Sequence, residues 1–485
     1  MAALRATASL APAEIAALMD WAEWAFPQYF PVGTGSAGTA DPFTYRHYGA
    51  TGNYVGISDS GQVALYGPVS GGALQVVGTT ADFGCKAAPE ACGAGTWRRV
   101  STTTFPIDGG ILASAIANRG DESLLVLNGV GSDRCETLPF RAIRLTPQGV
   151  FDASQRLAQA TPATHAREIV AADFDGDGLE DIFSANHGCD YQSNPMAGSG
   201  ERNALFLGTA TGFSDRSATL PAAAAFTHSA AAADVDGDGD ADILVADLHL
   251  ASYLLVNDGH GSFTPRADLL PAAMLDNTTQ YTAVLFADVD GDGAPDLVTG
   301  TMPESDDVAE RAGHVYLNRG GSFRGTPRGA LPPGLFGPRT TVLDIKALRL
   351  GGRQHLVLLE TADYQNFKLQ IVANRGLGLF EDQTEALLPA QKTGASWPAF
   401  VHVADINGDG LDDLVLQHAN FAPNPDDPVA YVFTVAGRYR ELTRAELPAD
   451  VRGLMPARIG GQPYLLSVRN GDLAGLGVVE LYTNR

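Results

Sequence analysis

The chain has 485 residues, 56 of them acidic and 32 basic, for a formal charge of -24. Binding phosphates needs a basic face, so this charge argues against nucleic acid as a partner and for bound cations or plain solubility. Its apolar stretches are short and broken by Asp, Gly or Pro, so no segment reads as a membrane span.

Taken in chain order, residues 1–93 read as a small α+β module. The start, MAALRATASLAPAEIAALMDWAEWAF, has no charged region followed by a continuous apolar run, and the expectation is that an export signal has been removed. Ile15, Leu18, Ala22 and Phe26 fall on one helical face. The segments FTYRHYG, NYVGIS, QVALYG and LQVVG, separated by Gly and Asn turns, predict a small antiparallel sheet. The module resembles a helix-plus-hairpin unit of exported bacterial proteins, and it either docks a partner or packs as inert structure.

The four cysteines, Cys85, Cys92, Cys135 and Cys189, allow three pairings. Cys85 with Cys92 and Cys135 with Cys189 is the favoured one, pointing to an oxidising compartment; four reduced thiols in a cytosolic protein is the alternative.

Residues 94–485 are dominated by a repeat. AADFDGDGLEDIFSA, AADVDGDGDADILVA, FADVDGDGAPDLVTG and VADINGDGLDDLVLQ begin their acidic ladders at Asp173, Asp234, Asp288 and Asp405, and the last interval is about double the others. A degenerate copy is expected near Asp344, in TTVLDIKALRLGGRQHLVLLET. ILASAIANRGDESLLVLNG and GLMPARIGGQPYLLSV extend the period outward, giving seven units. Each unit offers four short strands with period-two alternation and turn residues between them, the pattern of a propeller blade. The last unit lacks its outermost strand. GTWRRVSTTTFP (residues 95–106) matches GRYRELTRAELP (437–448) from Gly to Pro and supplies it. The predicted fold is all-β: a seven-bladed β-propeller closed by an N-terminal strand, which removes free sheet edges.

Asp-x-Asp-x-Asp-Gly-x-x-Asp places hard oxygen ligands at alternate positions of a tight loop, as calcium requires. The candidate ligand sets are Asp173, Asp175, Asp177, Leu179 through its carbonyl, and Asp181; Asp234, Asp236, Asp238, Asp240 and Asp242; Asp288, Asp290, Asp292, Ala294 and Asp296; and Asp405, Asn407, Asp409, Leu411 and Asp413. About four structural Ca²⁺ ions are expected. EF-hands are excluded, because loop position twelve holds Ser184, Val245, Thr299 and Leu416 instead of a bidentate Glu, and strand sequence follows each loop.

These loops at blade spacing, over roughly residues 95–485, resemble the FG-GAP and VCBS-type repeats of integrin α-subunit propellers and of many secreted bacterial proteins. The resemblance implies a structural ion between the first two strands of a blade. It also implies a secreted, extracellular or periplasmic protein. NRGDES, DIKALRLGG and IGGQP depart from the pattern, so no metal is expected in the first, fifth and seventh blades.

Function is expected on the face opposite the metal loops. Second-to-third-strand loops bring His187, His249, Tyr364 and His418 there, and the starts of blades bring His165, His228, Tyr281, Arg339 and Trp397. Such a cluster can bind a transition metal, act as acid and base, or stack on sugars. The plain alternative is histidines capping strand ends. The long segments GCDYQSNPMAGSGERN, TMPESDDVAERAGH and HANFAPNPDDPVA are further candidates for a binding surface. The RGD at Arg119–Asp121 is read as chance, in a tight turn. The leading expectation is a calcium-stabilised extracellular binding or adhesion protein for a glycan or protein partner. The alternative is a secreted, lyase-like polysaccharide enzyme using the histidines and tyrosines of that face.

Overall fold

The computed structural model describes the backbone of four strands between residues 43 and 79 and, apart from short internal stretches, residues 97–483. Phe43–Tyr48, Asn53–Ser58, Val63–Pro68 and Leu74–Thr79 pair in sequence order as an antiparallel sheet. The predicted helix over 12–26, and Cys85, Cys92, Cys135 and Trp397, lie outside the described residues.

The remaining strands form seven four-stranded antiparallel sheets, the blades of a propeller. Blades 1 to 6 span 110–152, 166–215, 227–265, 281–330, 340–382 and 398–441. Blade 7 takes three strands from 455–483 and its outermost from Arg98–Pro106, which runs antiparallel to Leu476–Thr483. Phe105 lies over Gly477 in this closing pair; a Cβ at Gly477 would meet the Phe105 ring at 2.3 Å, so a larger residue would displace that buried ring.

The hydrophobic core is divided among the seams between blades. Seven clusters each join two consecutive blades: Ile169 and Phe206 with Ala117 and Phe140, for example, or Val401 and Tyr431 with Leu359 and Ile371. Blade 7 meets blade 1 through Leu466 and Val479 against Ile111 and Leu127, so the ring closes on apolar contact as well as on hydrogen bonds. Small residues such as Ala230 and Ala283 in the inner strands let the sheets approach one another near the axis.

The inner strands of blades 1 to 6 share an irregularity. Each slips register by one residue near its start, at Leu112, Arg167, His228, Thr282, Leu343 and Ala399. A bulge adds twist and re-aims the extra side chain. Just past it, a side chain of one blade accepts a hydrogen bond from the inner-strand backbone of the next: Glu168 from Ala230 at 3.0 Å, Ser229 from Val284 at 3.1 Å, and Asp344 from Val401 at 3.0 Å.

That register corrects one expectation. Asp344 is not the counterpart of Asp173 at the start of a loop; it lies within the inner strand Thr340–Leu350, at the position of Glu168, and pairs with Lys346 at 2.6 Å. The period located the blade, but the fifth blade carries its two strands straight on to a short hairpin, so its acid lies within a strand and not in a loop.

Candidate functional site

The acidic loops lie between the first and second strands of blades 2, 3, 4 and 6, at one end of the ring. Each begins with an aspartate whose two oxygens accept backbone N–H groups three and five residues on. Asp173 accepts Gly176 and Gly178 at 2.8 and 2.9 Å, and Asp234, Asp288 and Asp405 repeat the turn. Gly178, with φ +86°, supplies the left-handed backbone that the turn needs. The last aspartate of each loop is buried and accepts the second loop residue's N–H, as Asp181 does from Phe174 at 2.7 Å.

Three carboxylates therefore converge in each of three loops: Asp173, Asp175 and Asp181; Asp234, Asp236 and Asp242; Asp288, Asp290 and Asp296, with oxygens within 4.8 Å of one another. In the sixth blade Asn407 replaces the second acid, so the loop keeps its turn with one carboxylate fewer. Burial pushes Asp181 up to about 7 and Asp242 and Asp296 up to about 6. A divalent ion among such oxygens reverses that shift and removes the mutual repulsion. The donor set is all oxygen, which fits a hard cation. These loops can hold metal ions.

The opposite mouth of the channel collects a different chemistry. The rings of His165 and His187 lie 5.2 Å apart, and His187 lies 5.9 Å from His228. His187 also meets Phe226 at 5.6 Å, and Phe226 meets the exposed His249 at 4.9 Å, so the cluster runs from the rim inward. His228 faces the Thr282 carbonyl with Nδ1 at 2.7 Å; a carbonyl only accepts, so Nδ1 carries the proton. Its Nε2 then accepts the Nε–H of Arg167 at 3.2 Å and faces the Tyr364 hydroxyl at 3.4 Å. Burial, and then the Arg167 charge, hold His228 well below the usual histidine range. Burial likewise lowers His165, whose two buried ring nitrogens have no hydrogen-bond partner. Tyr364, with φ 55°, is the only non-glycine residue in the left-handed region among the described residues, and backbone strain of this kind concentrates at functional sites.

Three of the five expected histidines thus meet, with a tyrosine beside them. His249 meets Phe226, which in turn meets His187. His418 stands apart, its Nε2 2.8 Å from the Pro428 carbonyl and its ring against Phe367. Tyr281 is core, packed with Leu297 and Tyr316, and Arg339 is exposed. The sequence reading missed Arg167, because an isolated arginine in an inner strand carries no motif. Most of the three long segments lies outside the described residues, and Cys189 is buried. The RGD arginine is turned away from solvent: Arg119 packs over Phe213 and donates to the Thr209 carbonyl.

Residues 173–245 and 245–299 match the FG-GAP-like repeat family, from the first acidic loop into the second strand of blade 4. No curated protein matches the chain. Among solved structures it is similar to BBS1N in complex with ARL6DN (10% identity, 80% of this chain and 97% of that one, TM-score 0.44) and to the Dos1 propeller (10%, 81% and 96%, 0.43). A Bifidobacterium bifidum s17 protein described as a candidate exo-beta-1,3-galactanase is also similar (8%, 57% and 95%, 0.32).

Proposed function

From the premise that the chain is a seven-bladed β-propeller of FG-GAP-like repeats, we propose that it is a calcium-stabilised extracellular binding protein. Its partner is a glycan or a protein, recognised on the face opposite the acidic loops. The observation that carries this reading is the division of chemistry between the two ends of one channel. Convergent carboxylates with backbone-fixed turns occupy one end; His165, His187, His228, Arg167 and Tyr364 occupy the other. Calcium suits the first end because it accepts six to eight oxygens in a flexible arrangement, and the carboxylates and loop carbonyls of Asp173–Asp181 and its counterparts supply such a set. Its role there is to stabilise blades by binding the folded state alone.

A second reading, a secreted polysaccharide-active enzyme of lyase type, is favoured by one observation: His165, with two unpartnered ring nitrogens, belongs to the histidine cluster in which His228 meets the Arg167 guanidinium and the Tyr364 hydroxyl. Elimination beside a carboxylate needs a base, an acid and a neutralising cation, and these side chains are of those three kinds. A glycan array of acidic and neutral oligosaccharides, run beside an assay for unsaturated chain ends, separates the two. Binding without product supports the first reading, and product that disappears in Tyr364→Phe supports the second. A protein that captures no glycan or protein partner through this face and cleaves nothing sinks both.

A further inference from the structure

We propose that the channel mouth opposite the acidic loops contains a built oxyanion pocket, in which the Arg167 guanidinium receives the carboxylate of a uronic-acid-type ligand. This rests on the reading of that face as the binding face and names its ligand class.

Arg167 is 3% exposed, Nη2 has no hydrogen-bond partner, and the residue makes no ion pair with a described carboxylate. A buried cation left so is costly unless an anion completes it. The two acids whose charge reaches it are engaged elsewhere. Glu168 accepts from Ser229 Oγ at 2.8 Å and Ala230 N at 3.0 Å; Asp344 binds Lys346 at 2.6 Å and Val401 N at 3.0 Å. The guanidinium is also aimed. The bulge at residue 167 turns it toward blade 3, where His228, itself pinned by the Thr282 carbonyl, accepts its Nε–H, and Phe400 lies 5.9 Å from the guanidinium carbon. Nη2 is left to bind a ligand.

Arg167 is the one buried cation of the mouth with no carboxylate in direct contact among the described residues: Glu168, next to it in the chain, is bonded to Ser229 and Ala230. His165 and His228 are kept neutral by burial, and Lys346 already holds Asp344. One guanidinium with a free Nη2 suits the planar geometry of a single carboxylate better than a tetrahedral oxyanion. Toward the rim, Phe226, the exposed His249 and Leu250, 47% exposed, provide the aromatic and apolar surface on which a pyranose ring stacks.

The test uses the calcium-loaded full chain with its histidine ring protons followed by NMR during titration with glucuronate, its methyl ester, and sulfate. Glucuronate is expected to give saturable shifts at millimolar concentration on the His165 and His187 signals. The ester should be at least tenfold weaker, and both Arg167→Gln and Arg167→Lys should lose the preference for acid over ester while melting within a few degrees of the parent. No saturable response to glucuronate overturns the proposal, as does an equal response to the ester or to sulfate, or a preference that persists in a folded Arg167→Gln. Glycan-array binding that survives in Arg167→Gln would remove this pocket and leave the binding face standing.

Discussion

Asn318, two residues past the third strand of blade 4 (His314–Tyr316), donates from its side-chain amide to the carbonyl of Val235 in the acidic loop of blade 3, at 2.7 Å. The relationship recurs around the ring: Asn257 reaches Phe174 at 2.8 Å and Asn374 reaches Val289 at 2.6 Å. The second residue of each of these loops is thereby tied to the next blade, so a loop that tightens on an ion also tightens a seam. Asn318→Ala leaves the Val235 carbonyl without this partner and is expected to cost about 1–3 kcal/mol. It should also reduce the stabilisation that calcium gives. Urea unfolding with and without calcium measures both; a loss that ignores calcium would uncouple the seam from the loop.

Calcium removal has a clear expected sign. EDTA should lower the melting temperature and added calcium restore it, by about 2.7 kcal/mol per site once the ion exceeds its dissociation constant a hundredfold. Asp236→Asn, in the third blade, should remove part of that gain and leave the apoprotein unchanged or slightly more stable, because it relieves repulsion among Asp234, Asp236 and Asp242. Calorimetry on the parent and the variant decides; melts indifferent to EDTA would count heavily against bound calcium.

Tyr364→Phe removes the hydroxyl that faces His228 and keeps the ring that packs beside Leu343 and Phe367. Folding stability should change by less than about 1 kcal/mol. If the face only binds, affinity for its ligand should fall about fivefold, the worth of one hydrogen bond. If it catalyses, kcat should fall about a hundredfold with KM nearly unchanged. Affinity and turnover both untouched would remove Tyr364 from the site.

Glu360 is fully buried in the fifth blade, with the Leu335 N–H donating to Oε2 at 2.7 Å and Oε1 unpartnered. Burial pushes its carboxyl up from 4.5 to about 8. Because the folded value lies above the unfolded one, its contribution is fully present below about 4.5 and is lost as pH rises through about 8. Glu360→Gln keeps the shape without the charge. It should be at least about 2 kcal/mol more stable than the parent at pH 9 and within about 0.5 kcal/mol of it at pH 4.5, since each tenfold change in proton affinity is worth about 1.4 kcal/mol. Denaturant melts at the two pH values test it, and equal differences at both would show that Glu360 does not titrate with folding.

The sequence by itself determined the blades and the acidic loops. An acidic ladder, the glycine turn after it and the strand that follows are encoded within a dozen residues, and repetition made them legible seven times over, even where a blade had lost its acids. It also determined the closure, because residues 95–106 repeat the outer strand that 437–448 form in blade 6 and that blade 7 lacks after Thr483. Only the tertiary structure decided what the far mouth of the channel contains. Arg167, His228 and Thr282 occupy the same bulged position in three consecutive blades, yet they are different side chains, so the repeat carries no common signal there. Tyr364 reaches His228 from across the ring, and the distance between them in sequence fixes nothing until all seven seams have closed. Local hydrogen bonding writes a loop into its own residues; a site where blades converge on the axis exists only once the ring does.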